Sequence, residues 1–275
     1  MEIAWYPAPG KLNLFLHVLG RRADGYHELQ TVFRLIEAGD RVGVALRDDA
    51  EIRFSGAFGD DNLCVKAARL LQARAGSPKG CELRLEKTLP VGGGLGGGSS
   101  DAATVLIVLN RLWQTRFSRE DLMQMGRELG ADVPVFVYGR NALGEGIGER
   151  LSELRLEPAW YLVLTPQVAV STREIFGSGA LTRPGKRLTI PPFLSGQGEN
   201  DLEPLVTALH PDVAAHLAWL KSRCPQARMT GSGACVFAEF AAEREARALQ
   251  AALPAGMNGF VTRGLDEHPL RQWLD

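Results

Sequence analysis

Between residues 89 and 103 the chain reads LPVGGGLGGGSSDAA, with glycine at six of the seven positions from Gly92 to Gly98. Glycine inside a helix or strand costs about 0.5–1 kcal/mol relative to alanine, because more backbone freedom is lost on folding. A run this dense must be demanded by the fold or by a ligand. Its flanks narrow the choice. CELRLEKTL before it alternates Cys81, Leu83 and Leu85 on one face, the period of a strand. SSDAATVLIVLNRLW after it reads as a long, largely buried helix whose first turn suits Ser99, Ser100 and Asp101.

Three familiar readings fail or fit poorly. A flexible linker joins separable elements, whereas this run sits inside one domain. Gly92, Gly94 and Gly97 satisfy G-x-G-x-x-G, but the acidic residues about 20 positions on, Glu120 and Asp121, open a helix instead of closing a strand. A Walker loop needs a lysine after its last glycine, and no lysine lies between Lys87 and Arg111. What remains is an anion cradle. Glycines let backbone N–H groups approach closely, and a helix N-terminus adds free donors and partial positive charge. Ser99 and Ser100 offer hydroxyls to a phosphate or to a metal bound to it. A triphosphate is the natural ligand.

The rest of the chain frames this loop. KLNLFLHVL alternates Leu12, Leu14, Leu16 and Val18, a strand that sets Lys11 and Asn13 side by side on its other face. RADGYH is a turn, and LQTVFRLI and RVGVAL read as two further strands. Helices are predicted over DDNLCVKAARLLQARAG, stopping at Gly76, and over SREDLMQMGRELG, from a Ser118 cap to Gly130. From about Trp160 the order is strand, helix, the loop MTGSGA, strand, helix, strand, with an irregular stretch from Leu181 to Asn200. The mixed order predicts an α+β chain of two domains, 1–158 and 159–275, and argues against a doubly wound sheet.

With 275 residues and a formal net charge of −1, the chain shows no general affinity for nucleic acid or an anionic membrane. Cys64, Cys81, Cys224 and Cys235 form no CxxC pair and read as buried reduced thiols. No leader and no span of about 20 apolar residues is visible, so a cytoplasmic protein with no obligate protein partner is expected.

PVGGGLGGGSSDAA, together with PAPGKLNLFL at residues 7–16 and MTGSGACVF at 229–237, resembles the three motifs of the GHMP kinase superfamily, in their order and over nearly the whole chain. The finer likeness, through GKLNLFLHVLGRRADGYHELQTVF, LGADVPVF and TGSGACVFAEF, is to its kinases of a cytidyl-diphosphate methylerythritol. Gly10 departs from that pattern, which often has alanine or serine before the lysine.

The resemblance implies an N-terminal domain like the second domain of ribosomal protein S5, a ferredoxin-like C-terminal domain, and a site in the cleft between them. It implies phosphoryl transfer from ATP, with Mg²⁺, to the 2-hydroxyl of that small-molecule substrate, in the non-mevalonate route to isoprenoid precursors. Asp132 matches the family's catalytic aspartate and Lys11 its catalytic lysine; by spacing alone they read as a helix cap and a solvated charge. ATP would lie along Pro90, Val91, Gly92, Gly93, Gly94, Leu95, Gly96, Gly97, Gly98, Ser99 and Ser100, with Asn62 and Lys87 at the adenine. Asn13 would bond the substrate or serve as a structural amide. Tyr26 and Phe176 would stack on the cytosine and His27 would read its edge, although without the family the first two are core candidates. Asp101 reads as a helix cap sooner than a metal ligand. The protein ligands of Mg²⁺ are not readable.

Overall fold

In a computed structural model, which describes residues 2–56, 59–178 and 198–274, ten strands form two sheets. The first contains β1 (Ala4–Arg21), β2 (His27–Arg47), β3 (Ile52–Ser55), β4 (Gly80–Glu86), β5 (Ala142–Gly146) and β6 (Arg150–Glu153). Its order is β3-β4-β2-β5-β6, with β1 paired along β2. Only β3 and β4 run parallel. The two strands expected from LQTVFRLI and RVGVAL are one, since β2 is a single strand of 21 residues. No breaker stops it: the register merely shifts by two residues opposite Pro9 and Gly10.

One face of this sheet carries α1 (Leu63–Ala75), α2 (Gly97–Trp113), α3 (Arg119–Leu129) and α4 (Val133–Tyr138). Their ends follow the expected chemistry. Gly76 closes α1 at φ 58°, and Ser118 with Asp121 forms a capping box on α3. Phe33, Leu35, Val42 and Val44 of β2 share a core with Leu71, Leu106 and Phe136 of these helices.

The second sheet, β7 (Trp160–Leu164), β8 (Arg228–Met229), β9 (Val236–Phe240) and β10 (Gly259–Arg263), has the order β10-β7-β9-β8. With α5 (Thr172–Gly177), α6 (Glu203–Leu209), α7 (Pro211–Lys221) and α8 (Glu243–Ala251) it makes the βαββαβ succession of a ferredoxin-like fold. Leu12, Leu14, Val32 and Ile36 of the first sheet join Tyr161, Val163 and Phe237 of the second in one core. β1 is therefore covered on both faces, and the lysine and asparagine on its polar side are buried, not solvated.

After β10 the chain returns to the first sheet: Leu265 N–H donates to Leu35 O at 2.8 Å and His268 N–H to Gly139 O at 2.9 Å. Leu270 and Leu274 enter the first core. Cys64, Cys81 and Cys235 are buried and Cys224 half-buried, all as free thiols. Most of the stretch read as irregular, 181–197, lies outside the described residues. Among the described residues no helix is long and apolar enough to cross a membrane.

Candidate active site

The glycine run leaves β4, bends past the second lobe and becomes α2. Gly92, Gly94 and Gly96 have φ of 70°, 77° and 72°, a left-handed backbone that favours glycine. The bend presses on the loop from Thr230 to Cys235, whose Ala234 and Cys235 amides donate to Gly92 O at 3.2 Å and Gly93 O at 3.1 Å. A Cβ at Gly94 would overlap the Thr230 carbonyl oxygen. Gly96, not a serine, is the N-cap of α2. The first amides of that helix, on Gly97, Gly98 and Ser99, have no partner within it and border a cavity of about 950 Å³.

Every residue expected in the site lines this cavity except Ser100. The Ser100 hydroxyl is fully buried and donates to Pro9 O at 2.7 Å, while its amide closes the first helical turn on Gly96 O at 2.9 Å. The expected phosphate or metal contact through that hydroxyl is not met: it ties α2 to β1.

Lys11, on β1, is the best-connected group in the cavity. Its Nζ donates to Asn13 Oδ1 at 2.6 Å and to Gly94 O at 2.8 Å, and stands 3.3 Å from Asp132 Oδ2. The Lys11 side chain is 3 % exposed and that of Asp132 38 %. Asn13 is held in turn: Nδ2 donates to Thr31 Oγ1 at 2.8 Å, and its amide donates to Thr230 Oγ1 at 2.9 Å. Both ends of its side chain are thus committed to protein, so the structural alternative for Asn13 describes its bonds. Asp132 occupies the N-cap position of α4 but makes no capping bond. Its carboxylate faces Lys11 and the cavity.

A second charged group lies under the start of α2. Lys87 bonds both Asp40 and Asp101, the latter at 2.8 Å, and a Cβ at Gly97 would be 3.1 Å from its Nζ. Asp101 is therefore not the cap it was expected to be; it sits one turn inside α2, paired with Lys87. Burial, with Asp40 adding repulsion against the pull of Lys87, pushes the Asp101 carboxyl up to about 7. Asp40 was missed from sequence. It is 2 % exposed and its Oδ1 accepts from Thr88 and Leu89 N–H at 2.6 and 2.9 Å, pinning the exit from β4. Asn62 lines the same end of the cavity while its Oδ1 accepts from Cys64 N–H at 2.9 Å as the N-cap of α1.

At the far end, the hairpin between β1 and β2 brings Tyr26, 61 % exposed, beside the buried His27. The His27 and Phe176 rings lie 5.4 Å apart, tilted by 39°. Burial, then the charge of Arg21, lowers the His27 pKa and so favours the neutral imidazole, which donates from one nitrogen and accepts at the other. One cavity thus joins an anion cradle, a lysine–aspartate pair and an aromatic end.

Family models for the GHMP kinase N-terminal and C-terminal domains match residues 62–140 and 189–259. The 4-diphosphocytidyl-2-C-methyl-D-erythritol kinase of Nitrosospira multiformis is 55% identical over 275 residues, covering 98% of this chain and 94% of that one. The chain belongs to the 4-diphosphocytidyl-2-C-methyl-D-erythritol kinases. The kinase of that name from Thiobacillus denitrificans is 56% identical over 273 residues, with 98% of both chains covered. A crystal structure of such a kinase superposes with a TM-score of 0.85 at 35% identity, over 95% of this chain and 100% of the other. The homoserine kinase of Cytophaga hutchinsonii shares the fold, with a TM-score of 0.70 at 16% identity over 96% and 94% of the two chains.

Proposed function

We infer that the protein transfers the γ-phosphoryl group of ATP to the 2-hydroxyl of 4-diphosphocytidyl-2-C-methyl-D-erythritol, giving the 2-phosphate and ADP, in the non-mevalonate route to isoprenoid precursors. The observation that carries this reading is the Lys11–Asp132 pair, 3.3 Å apart between the glycine cradle and the aromatic end. ATP would lie on the amides of Gly97, Gly98 and Ser99, its adenine toward Asn62 and Lys87, and the cytidine at Tyr26, His27 and Phe176. The attacking hydroxyl then meets Asp132, which accepts its proton. Lys11 offsets charge growing on the attacking oxygen. Asn13 holds Lys11 in register.

Magnesium fits this wall. Asp101 Oδ1 is buried without a hydrogen-bond partner among the described residues, and with the Ser99 hydroxyl and the phosphates it would hold the ion. Bound there, magnesium would neutralise triphosphate charge. No group of three His, Cys, Asp or Glu able to hold a metal occurs among the described residues, in keeping with an ion held largely by its nucleotide. We keep 1–158 and 159–275 as the two units of the chain, with the final residues strapped back to the first, and place the reaction in the cytoplasm, where ATP is supplied.

The test is direct. Purified protein, Mg·ATP and each of three alcohols are assayed for ADP release. Turnover of the cytidyl-diphosphate substrate is expected to exceed that of homoserine or mevalonate, and the reverse order overturns the assignment.

A further inference from the structure

Four cations line the cavity: Lys11, Arg21, Lys87 and Arg173. Two are already neutralised. Lys11 faces Asp132, and Lys87 lies between Asp40 and Asp101. Arg21 and Arg173 pair with no carboxylate among the described residues; Arg21 only leans its Nε on Gly25 O at 3.4 Å. Both are exposed on the cavity wall. The acidic residues lining the cavity, Asp61, Asp101 and Asp132, all lie toward its nucleotide and catalytic parts. Among the described residues that line it, the aromatic end carries two arginines and no carboxylate.

The two arginines are also placed by the elements that place the rings. Arg21 is the cross-strand partner of His27 in the β1–β2 pair. Arg173 precedes Phe176 by three residues in α5, so both leave one face of the helix. A hydroxyl pair, Thr172 Oγ1 to Ser232 Oγ at 2.7 Å, ties the start of α5 to the loop below the cradle. The two arginines thus come from the same two elements as the rings His27 and Phe176 and line the same cavity, and the planar fork of a guanidinium suits phosphate oxygens.

We propose that Arg21 and Arg173 clasp the diphosphate of the cytidyl substrate and set the enzyme's preference for a nucleoside diphosphate over the corresponding monophosphate. The assignment rests on the functional reading above. It differs from the roles of Tyr26, His27 and Phe176, which bind the base and are indifferent to phosphate number.

Calorimetric titration of the full-length protein with cytidine, CMP and CDP tests it, on the wild type, Arg21→Ala, Arg173→Ala and the double variant. The wild type is expected to bind CDP more tightly than CMP. Each single change should cut the CDP-over-CMP ratio roughly 10-fold, leaving the KM for ATP and the melting temperature unchanged. Arg→Lys at either position should restore part of the ratio, since charge survives and the fork does not. A double variant that keeps the full preference for CDP overturns the assignment. A wild type that binds none of the three refutes the functional reading, and this assignment with it, a pattern the first failure cannot produce.

Discussion

Replacing Asp132 by asparagine separates the two roles that its position allows. If the carboxylate were only a helix cap, asparagine would serve nearly as well and kcat would hold. It makes no capping bond, and its one partner among the described residues is Lys11 at 3.3 Å, with the aspartate side chain 38 % exposed. A pair this open contributes about 0–1 kcal/mol, and Lys11 keeps Asn13 Oδ1 and Gly94 O as acceptors. In a domain of this size that corresponds to a melting shift below about 4 °C. The chemistry should respond on another scale. General-base catalysis supplies about 10²–10⁴-fold, or about 2.7–5.5 kcal/mol of barrier, so kcat should fall by that factor. The KM for ATP should hold, because the cradle is built from other residues. Steady-state kinetics and a thermal melt on one preparation give all three numbers. A variant within threefold of wild-type kcat refutes the base assignment, and a melt lowered by 10 °C or so would return Asp132 to a structural role.

Lys11→Met should lose both activity and fold stability, since Asn13 Oδ1 is left buried without its donor at about 1–3 kcal/mol and Gly94 O keeps only the Thr230 hydroxyl at 3.5 Å, partly offset by no longer burying a cation; an unchanged urea midpoint would refute the strut. Gly98→Ala and Gly94→Ala should fail differently. A Cβ at Gly98 meets only Leu63 Cδ1 at 3.8 Å, so the melt should hold while the KM for ATP rises roughly 10-fold or more. Gly94→Ala should cost about 1–3 kcal/mol of stability through its φ of 77° and the Thr230 carbonyl; equal behaviour of the two variants would deny the cradle. Burial lowers His268 to about 3, so the folded protein keeps it neutral where the unfolded chain, at about 6.5, takes up a proton. Stability from this group is full above pH 6.5 and falls as pH drops toward 3, by about 2 kcal/mol at pH 5. His268→Asn, which can still accept from Leu270 N–H, should close the gap to wild type by that amount between pH 7.5 and 5 in denaturant melts, and a constant gap would contradict it.

Local signals carried most of the elements. The Ser118 box, the stop at Gly76 and the strand period before the glycine run are each set by neighbours within a few residues, so sequence shows them. Helices α4, α5 and α6 have six or seven residues, too few to display a period, and were not foreseen. The burial of Lys11 and Asn13 escaped the alternating pattern because the face it assigns to water is covered by groups distant in sequence, Gly94 of the glycine run, Asp132 at the start of α4 and Thr230, while the second sheet packs on the leucine face. Asp40 had no signal at all. Its partner Lys87 is 47 residues on, and an aspartate in EAGDRV looks like any turn residue.

The glycine run shows why motif and mechanism were separable from spacing alone only in part. Sequence could say that backbone had to approach something, but not what. Gly92, Gly93 and Gly94 yield to another loop of the same protein, and a Cβ at Gly96 would stand 2.9 Å from the Phe136 ring and 3.1 Å from Lys11 Cε. Gly94 and Gly96 thus lie against the groups that place the lysine. From Gly97 onward the first amides of α2 have no partner within the helix, and the open direction at Gly98 marks where a phosphate, not protein, would set the limit on side-chain size. On the proposed reading the motif is two devices in series: a fold-locking bend whose glycines meet the second lobe, and a helix start whose glycines would meet ATP.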